Sequence, residues 1–298
     1  MKKGGRPEMR QSGPRRPTVR LMLLAFVLLF SFISPVSAEP ALAGYSRETG
    51  YTYVRLGQYP QTAEGEVRPI LWRVLSAGDG QCVLLSEYIL FARCLHADLK
   101  DYRDGIKGDF AKTDLCAYLN GDFASAAFTE GELALLLPLG DYGKVFLPSA
   151  EDLENKDYGL GITLKDVKSK KKILKDPGLR AWGTEWAIRN NGFDPAVYTK
   201  PKQKLTGSSG KEMPLHELRL FVYSEQWANH SPYWTRDPSA EDGRQGRVIK
   251  ARGSIGRLEA GRDNIGVRPM ILLAEGGYEI VSGAGTADDP FTLSQKAE

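Results

Sequence analysis

Ile70-Leu-Trp-Arg-Val-Leu-Ser76, the turn Gly78-Asp79-Gly80 and Cys82-Val-Leu-Leu-Ser-Glu-Tyr-Ile-Leu90 decide the fold class. Two short apolar runs rich in β-branched and aromatic residues flank a Gly/Asp turn, the pattern of a β-hairpin. Working back, Tyr53-Val-Arg-Leu-Gly-Gln-Tyr59 reads as a strand closed by Pro60, so a three-strand meander opens the domain. Working forward, the period changes. Thr113 or Asp114 can cap a helix with Leu115, Tyr118 and Leu119 on one face, ended by Gly121. Thr129-Glu-Gly-Glu132 and Ser149-Ala-Glu-Asp152 are two further cap-like starts. Lys144–Leu147 reads as a short strand and Thr184–Arg189 as a short helix. Leu218–Tyr223, Tyr233–Arg236, Gly246–Ala251 and Val267–Leu273 are the later strands. Strands first, then helices, then strands again is the order of an α+β domain.

Around this domain, the ends differ in composition. Residues 1–38 carry seven Lys or Arg and one acid, a charge of +6, which leaves 33 bases against 36 acids downstream. The net +3 of the 298 residues therefore belongs to the first segment, and a mildly acidic domain gives no reason to expect nucleic acid. Leu21–Ile33 is an almost unbroken apolar run. Thirteen helical residues span about 20 Å, short of the ~30 Å hydrocarbon core. Pro35 breaks the run, and Val36-Ser37-Ala38 supplies small-x-small before a cleavage point after Ala38. The expectation is an export signal over 1–38 and an extracytoplasmic, secreted or envelope protein. The alternative is an uncleaved anchor over residues 21–34, the only route to the membrane. Arg15-Arg16 lacks the rest of a twin-arginine motif, and no Cys follows the run for lipidation. Residues 39–50 read as a linker, 51–275 as the globular domain, and 276–298 as a turn-rich tail. Lys165, Lys168, Lys170, Lys171, Lys172 and Lys175 read as a solvated surface segment, with a patch for an anionic polymer as the alternative.

The motifs resemble a known series. Leu56-Gly-Gln-Tyr-Pro-Gln61, Pro69–Leu75, Leu84–Ile89, Thr113–Asn120, Val145-Phe-Leu-Pro-Ser149, Thr184-Glu-Trp-Ala187, Tyr233-Trp-Thr-Arg236 and Gly266-Val-Arg-Pro-Met270 follow one another in the order of the bacterial family called domain of unknown function 6273. The resemblance covers about residues 50 to 274. It departs where Cys116 replaces a usual Arg, and where Thr235 and Asp237 flank Arg236 in place of Leu and Ser. It implies a fold like the C-type-lectin and formylglycine-generating-enzyme group: a twisted, mostly antiparallel sheet with a few helices and long irregular loops. It implies export, and no established chemistry.

Candidate chemistry comes from the residues. The three His (His96, His216, His230) form no His-Glu-x-x-His pair, and there is no Gly-x-Ser-x-Gly elbow or phosphate loop. Formylglycine-generating chemistry would need reactive cysteines late in the chain, and none follows Cys116. A hydrolase pairing Cys94 or Cys116 with His96 lacks an orienting group. Cys82 reads as buried, and Cys94 with Cys116 as the preferred disulfide in an oxidising compartment. No cofactor is expected. Asp288-Asp289 and Asp263 with Asn264 could hold calcium, or simply form solvated turns.

Trp227, Asn229, His230, Tyr233, Trp234, Arg236, Asn264 and Arg268 are the candidate ligand residues, because aromatic faces stack on sugars or peptides and Arg or Asn fixes orientation. In the competing reading Trp234 fills the core and Arg236 and Arg268 satisfy buried carbonyls or acids. Trp72, Phe146 and Tyr118 are expected in the core. The leading expectation is a non-catalytic binding or interaction module for a glycan, peptide or surface protein. The alternatives are a formylglycine-generating-like modifying enzyme and a structural envelope protein.

Overall fold

β1 (Thr52–Pro60), β2 (Val67–Gly78) and β3 (Gln81–Ser86) pair antiparallel in chain order. Asp79 and Gly80, at φ 56° and 81°, make the two-residue turn of left-handed residues that matches the twist of a hairpin. In β1 the bulge between Arg55 and Gln58 places Gly57 at φ 66°, with its amide donating to Glu132 Oε1 at 2.9 Å. A Cβ there would lie 2.6 Å from the Phe128 ring, so this site excludes any side chain. The structure, a computed structural model, describes residues 41–160, 179–190, 232–250 and 253–296.

The strand expected over Cys82–Leu90 is broken. β3 ends at Ser86, and the chain leaves its sheet to form β4 (Tyr88–Ile89) and β5 (Phe91–Ala92). The helical region follows. Thr113 caps α1 (Asp114–Tyr118) by accepting the Cys116 amide at 3.2 Å. Gly121 does not end the helix. The chain continues through a wide turn over Leu119–Phe123 into α2 (Ala124–Ala127). Burial of Leu119, Phe123, Ala124 and Ala127 outweighs the ~1 kcal/mol cost of a helical glycine. Capping boxes open α3 (Glu130–Leu135) with Thr129 and Glu132, and α4 (Ala150–Glu154) with Ser149 and Asp152. Between them lie β6 (Leu136–Leu137) and β7 (Val145–Phe146). β8 (Trp182–Gly183) and α5 (Glu185–Asn190) follow.

The later strands are β9 (Tyr233–Pro238), β10 (Gln245–Ile249), β11 (Ile255–Glu259), β12 (Gly266–Val267), β13 (Met270–Ala274), β14 (Tyr278–Ser282) and β15 (Phe291–Gln295). Three sheets result among the described residues. The largest runs β14-β15-β1-β2-β3-β13-β6, with β7 also on β13. The second runs β11-β10-β9-β12-β5, and β4 pairs with β8. Most pairings are antiparallel, while β1 with β15, β9 with β12 and β4 with β8 are parallel. The protein is thus a mixed α+β fold, mostly sheet with few helices. The expected run Val267–Leu273 is split, like Cys82–Leu90, because the chain changes sheets at Arg268-Pro269. The two crossings are tied: the Ser86 amide donates to Pro269 O, and Arg268 Nε donates to Ser86 O at 2.7 Å.

Both segments expected outside the domain belong to it. In the 39–50 linker Leu42 is buried and the Tyr45 amide donates to Leu75 O. In the 276–298 tail β14 and β15 form a hairpin that extends the main sheet. The physical reason is shared: each segment covers β1 or β2 edges and faces that would otherwise stay wet. The 1–38 signal, the lysine-rich stretch, Leu218–Tyr223, Trp227, Asn229, His216 and His230 lie outside the described residues. No described helix is long and apolar enough to cross a membrane.

Candidate functional site

α1 and the turn after it divide their residues by face. Leu115, Cys116, Leu119 and Phe123 are buried, while Asp114, Ala117, Tyr118, Gly121 and Asp122 recur at helical spacing on the other side. That second face forms one wall of a surface groove of about 670 Å³. The opposite wall is Ala92 at the end of β5 with Arg93, Cys94 and Ala97 after it, together with Asp263 from the loop before β12. Pairing of β5 with β12 brings the two segments of that wall together. Ala117 and Gly121 keep the helical wall low, so the polar side chains stand above it.

The groove is rigidly framed. The Arg93 guanidinium lies 4.2 Å from the centroid of the Tyr118 ring, a cation–π contact. The Arg93 amide donates to Ile265 O, and its carbonyl accepts the Trp234 indole N–H at 2.8 Å. Tyr118 meets Phe91 edge-on at 5.4 Å. Asp114 accepts the Ala97 amide at 2.9 Å. Behind it, His96 is buried. Its Nδ1 lies 3.3 Å from the Asp114 amide and 3.2 Å from Asp114 Oδ2, and its Nε2 lies 3.0 Å from Asp101 Oδ2. Three carboxylates, Asp114, Asp122 and Asp263, stand against one guanidinium already held by an aromatic ring.

The sequence-derived candidates scatter. Tyr233, Trp234 and Arg268 are fully buried, so they are core residues and not ligand residues. Tyr233 donates its hydroxyl to Leu179 O at 2.8 Å. The competing reading of Trp234 as core is the correct one, with the addition that its N–H holds the Arg93 carbonyl. Arg236 is fixed at the start of α4, where Nη1 donates to Leu147 O and to Asp152 Oδ2, both at 2.7 Å. Asn264 is half-buried and adjoins groove residue Asp263. Tyr118, expected in the core, is instead a groove wall, because the face opposite it on α1 takes the core. Sequence reasoning missed Arg93, Asp114 and Asp122. The Asp114, Tyr118, Asp122 spacing was a legible polar stripe on the expected helix.

No family model, curated protein or solved structure matches the chain.

Among the described residues no three His, Cys, Asp or Glu side chains stand where they could hold a metal ion. Asp288 and Asp289 sit in an exposed turn, with the Asp289 amide donating to the Thr286 hydroxyl at 3.0 Å. Cys94 and Cys116 do not form the expected disulfide: all three cysteines are free thiols. Cys116 Sγ donates to Tyr142 O at 3.5 Å and faces the core, whereas Cys94 opens to the groove. Burial pushes the Cys94 thiol up, Asp114 and Asp263 add to this, and Arg93 opposes it. Cys82 and Cys116 are both pushed up to about 11, chiefly by burial. None is poised as a nucleophile. A thiol-reagent titration without reductant should therefore count three thiols in the unfolded chain. In the native chain only Cys94 should react, slowly near pH 7 and faster as pH rises. One thiol in the unfolded chain would establish the disulfide instead.

Proposed function

We propose that this chain is an exported, non-catalytic binding module of the bacterial cell envelope, with a C-type-lectin-like arrangement of its sheets. The observation that carries the reading is the groove between α1 and the segment after β5: concave, framed by fixed backbone and lined by carboxylates beside an aromatic ring. The Cys94 thiol is held protonated by burial, and the nearby imidazole is bonded on both nitrogens, so the groove offers polar recognition in place of nucleophilic attack. Asp122 and Asp263 are acceptors suited to sugar hydroxyls or to the ammonium groups of a peptide. The basic segment with its apolar run supports export, and the ordered series of motifs from Leu56 to Met270 supports the resemblance to the family of domain 6273.

The test is a glycan array and an envelope-peptide pull-down with purified protein, followed by the double variant Asp122→Asn with Asp263→Asn. A charged hydrogen bond is worth about 1.5–3 kcal/mol, so the variant should bind at least about tenfold more weakly while unfolding at the same temperature. Unchanged affinity would remove the groove from the reading. Turnover of a substrate in place of binding would sink the reading altogether.

A further inference from the structure

His96 stands behind the groove, its side chain 10% exposed between two acids that are each 47% exposed. Its Nε2 lies 3.0 Å from Asp101 Oδ2. Its Nδ1 meets two groups of one residue, the Asp114 amide at 3.3 Å and Asp114 Oδ2 at 3.2 Å. The surrounding backbone is pinned. The Leu115 amide donates to Leu95 O, the His96 amide to Ala260 O, and the Ala97 amide to Asp114 Oδ2.

The two contacts at Nδ1 exclude each other. A bare Nδ1 accepts the amide hydrogen but repels the carboxylate, whereas a protonated Nδ1 donates to the carboxylate and cannot accept the amide. Histidine is the side chain whose ordinary titration changes its charge between about pH 5 and 8. Other titratable groups come from each neighbouring element. From the turn over Asp101–Gly105, the Tyr102 ring lies 6.2 Å away, and burial pushes its phenol up to about 12. On the segment's own side, the amides of Asp101 and Lys100 hold Asp98 below the usual carboxylate range, with a contribution from His96. Ahead of α1, Asp109 and Lys112 pair with each other at 3.0 Å. The loop after β11, which supplies Ala260, brings Arg262 and Asp263. Among the described residues no third carboxylate pairs with the ring.

We propose that His96 is a proton-operated latch on the groove. The imidazolium ties the Asp114 carboxylate to Asp101, and the neutral ring releases that carboxylate and holds the Asp114 amide instead. Because Asp114 belongs to the helical wall, the switch sets how much negative charge the groove presents. The groove therefore favours cations more strongly near pH 8 than near about pH 5.5. The latch rests on this geometry, and only its consequence for a ligand depends on the binding role proposed for the groove.

Cys94 opens to the groove and reports on it. Its reaction rates with two methanethiosulfonates, one carrying trimethylammonium and one sulfonate, are measured across this pH range. Their ratio cancels the changing thiolate fraction, so it reads the charge of the groove. The cationic reagent should lose about threefold or more against the anionic one on acidification, in a single step. A flat ratio overturns the proposal. His96→Gln should abolish the step, and a folded His96→Gln that keeps it overturns the proposal. Should His96→Gln fail to fold, Asp114→Asn decides. It leaves the amide in place and removes one counter-charge, so the step should move down by about one pH unit or more. A step at the parent's pH would take Asp114 out of the latch and overturn it. The measurement needs no glycan or peptide, so a failed latch and a failed groove reading are told apart.

Discussion

Arg73→Ala should lose about 3–5 kcal/mol of stability in urea unfolding, a large share of the roughly 5–15 kcal/mol that holds an ordinary domain folded. Arg73 and Glu87 form a two-pronged pair with side chains only 10% and 21% exposed. Burial works against the Arg73 charge, but Glu87, Tyr53 and Tyr51 together more than offset it and hold the guanidinium above its ordinary range. Removing the arginine leaves Glu87 half-sheltered with no counter-charge and uncovers the Tyr51 ring, whose centre lies 4.6 Å from the guanidinium. The double variant Arg73→Leu with Glu87→Leu separates the two costs. It removes the stranded charge while keeping apolar bulk, so it should recover most of the loss. A double variant as unstable as Arg73→Ala would mean that the pair stabilises by more than cancelling its own desolvation.

Trp234→Ala should cost a similar ~3–5 kcal/mol, the range for emptying a large aromatic site in a core. Its indole is fully buried, and its N–H meets the Arg93 carbonyl 141 residues away in sequence. Trp234→Phe keeps most of the volume and should cost less, yet it strands the Arg93 carbonyl. The groove should feel that change, because the same residue lays its guanidinium on Tyr118. Equilibrium urea unfolding of the two variants gives the stabilities. Ligand binding by Trp234→Phe gives the coupling. A Trp234→Ala protein as stable as its parent would return Trp234 to the surface.

Which features were legible depended on the range of the interaction that makes them. The Asp79-Gly80 turn and the capping boxes at Thr129 and Ser149 are complete within a few residues, and each could be read. The sheet crossings at Ser86-Glu87 and Arg268-Pro269 could not, since Cys82–Leu90 and Val267–Leu273 look like unbroken apolar runs. What breaks them is a partner far along the chain: Arg73 for Glu87, Ser86 for Arg268. The groove was half legible for the same reason. Asp114, Tyr118 and Asp122 share a helical face by local geometry, whereas Arg93 and Asp263 join them only once β5 and β12 have paired. Arg236 misled because an exposed and a clamped arginine read alike. Only the fold shows that Leu147 O and the Asp152 carboxylate of α4 take its hydrogen bonds.

The parallel pairing of β1 with β15 sets an order of assembly. As the chain emerges, β1 meets β2 and β3 almost at once, but its other edge finds Phe291 and Thr292 only after the rest of the domain has appeared. Until then the meander presents an open edge that cannot close on itself. Such late, long-range closure slows folding. On the proposed export route that delay would be an asset: the first strands stay unsealed, and the chain stays threadable, until its final strand arrives.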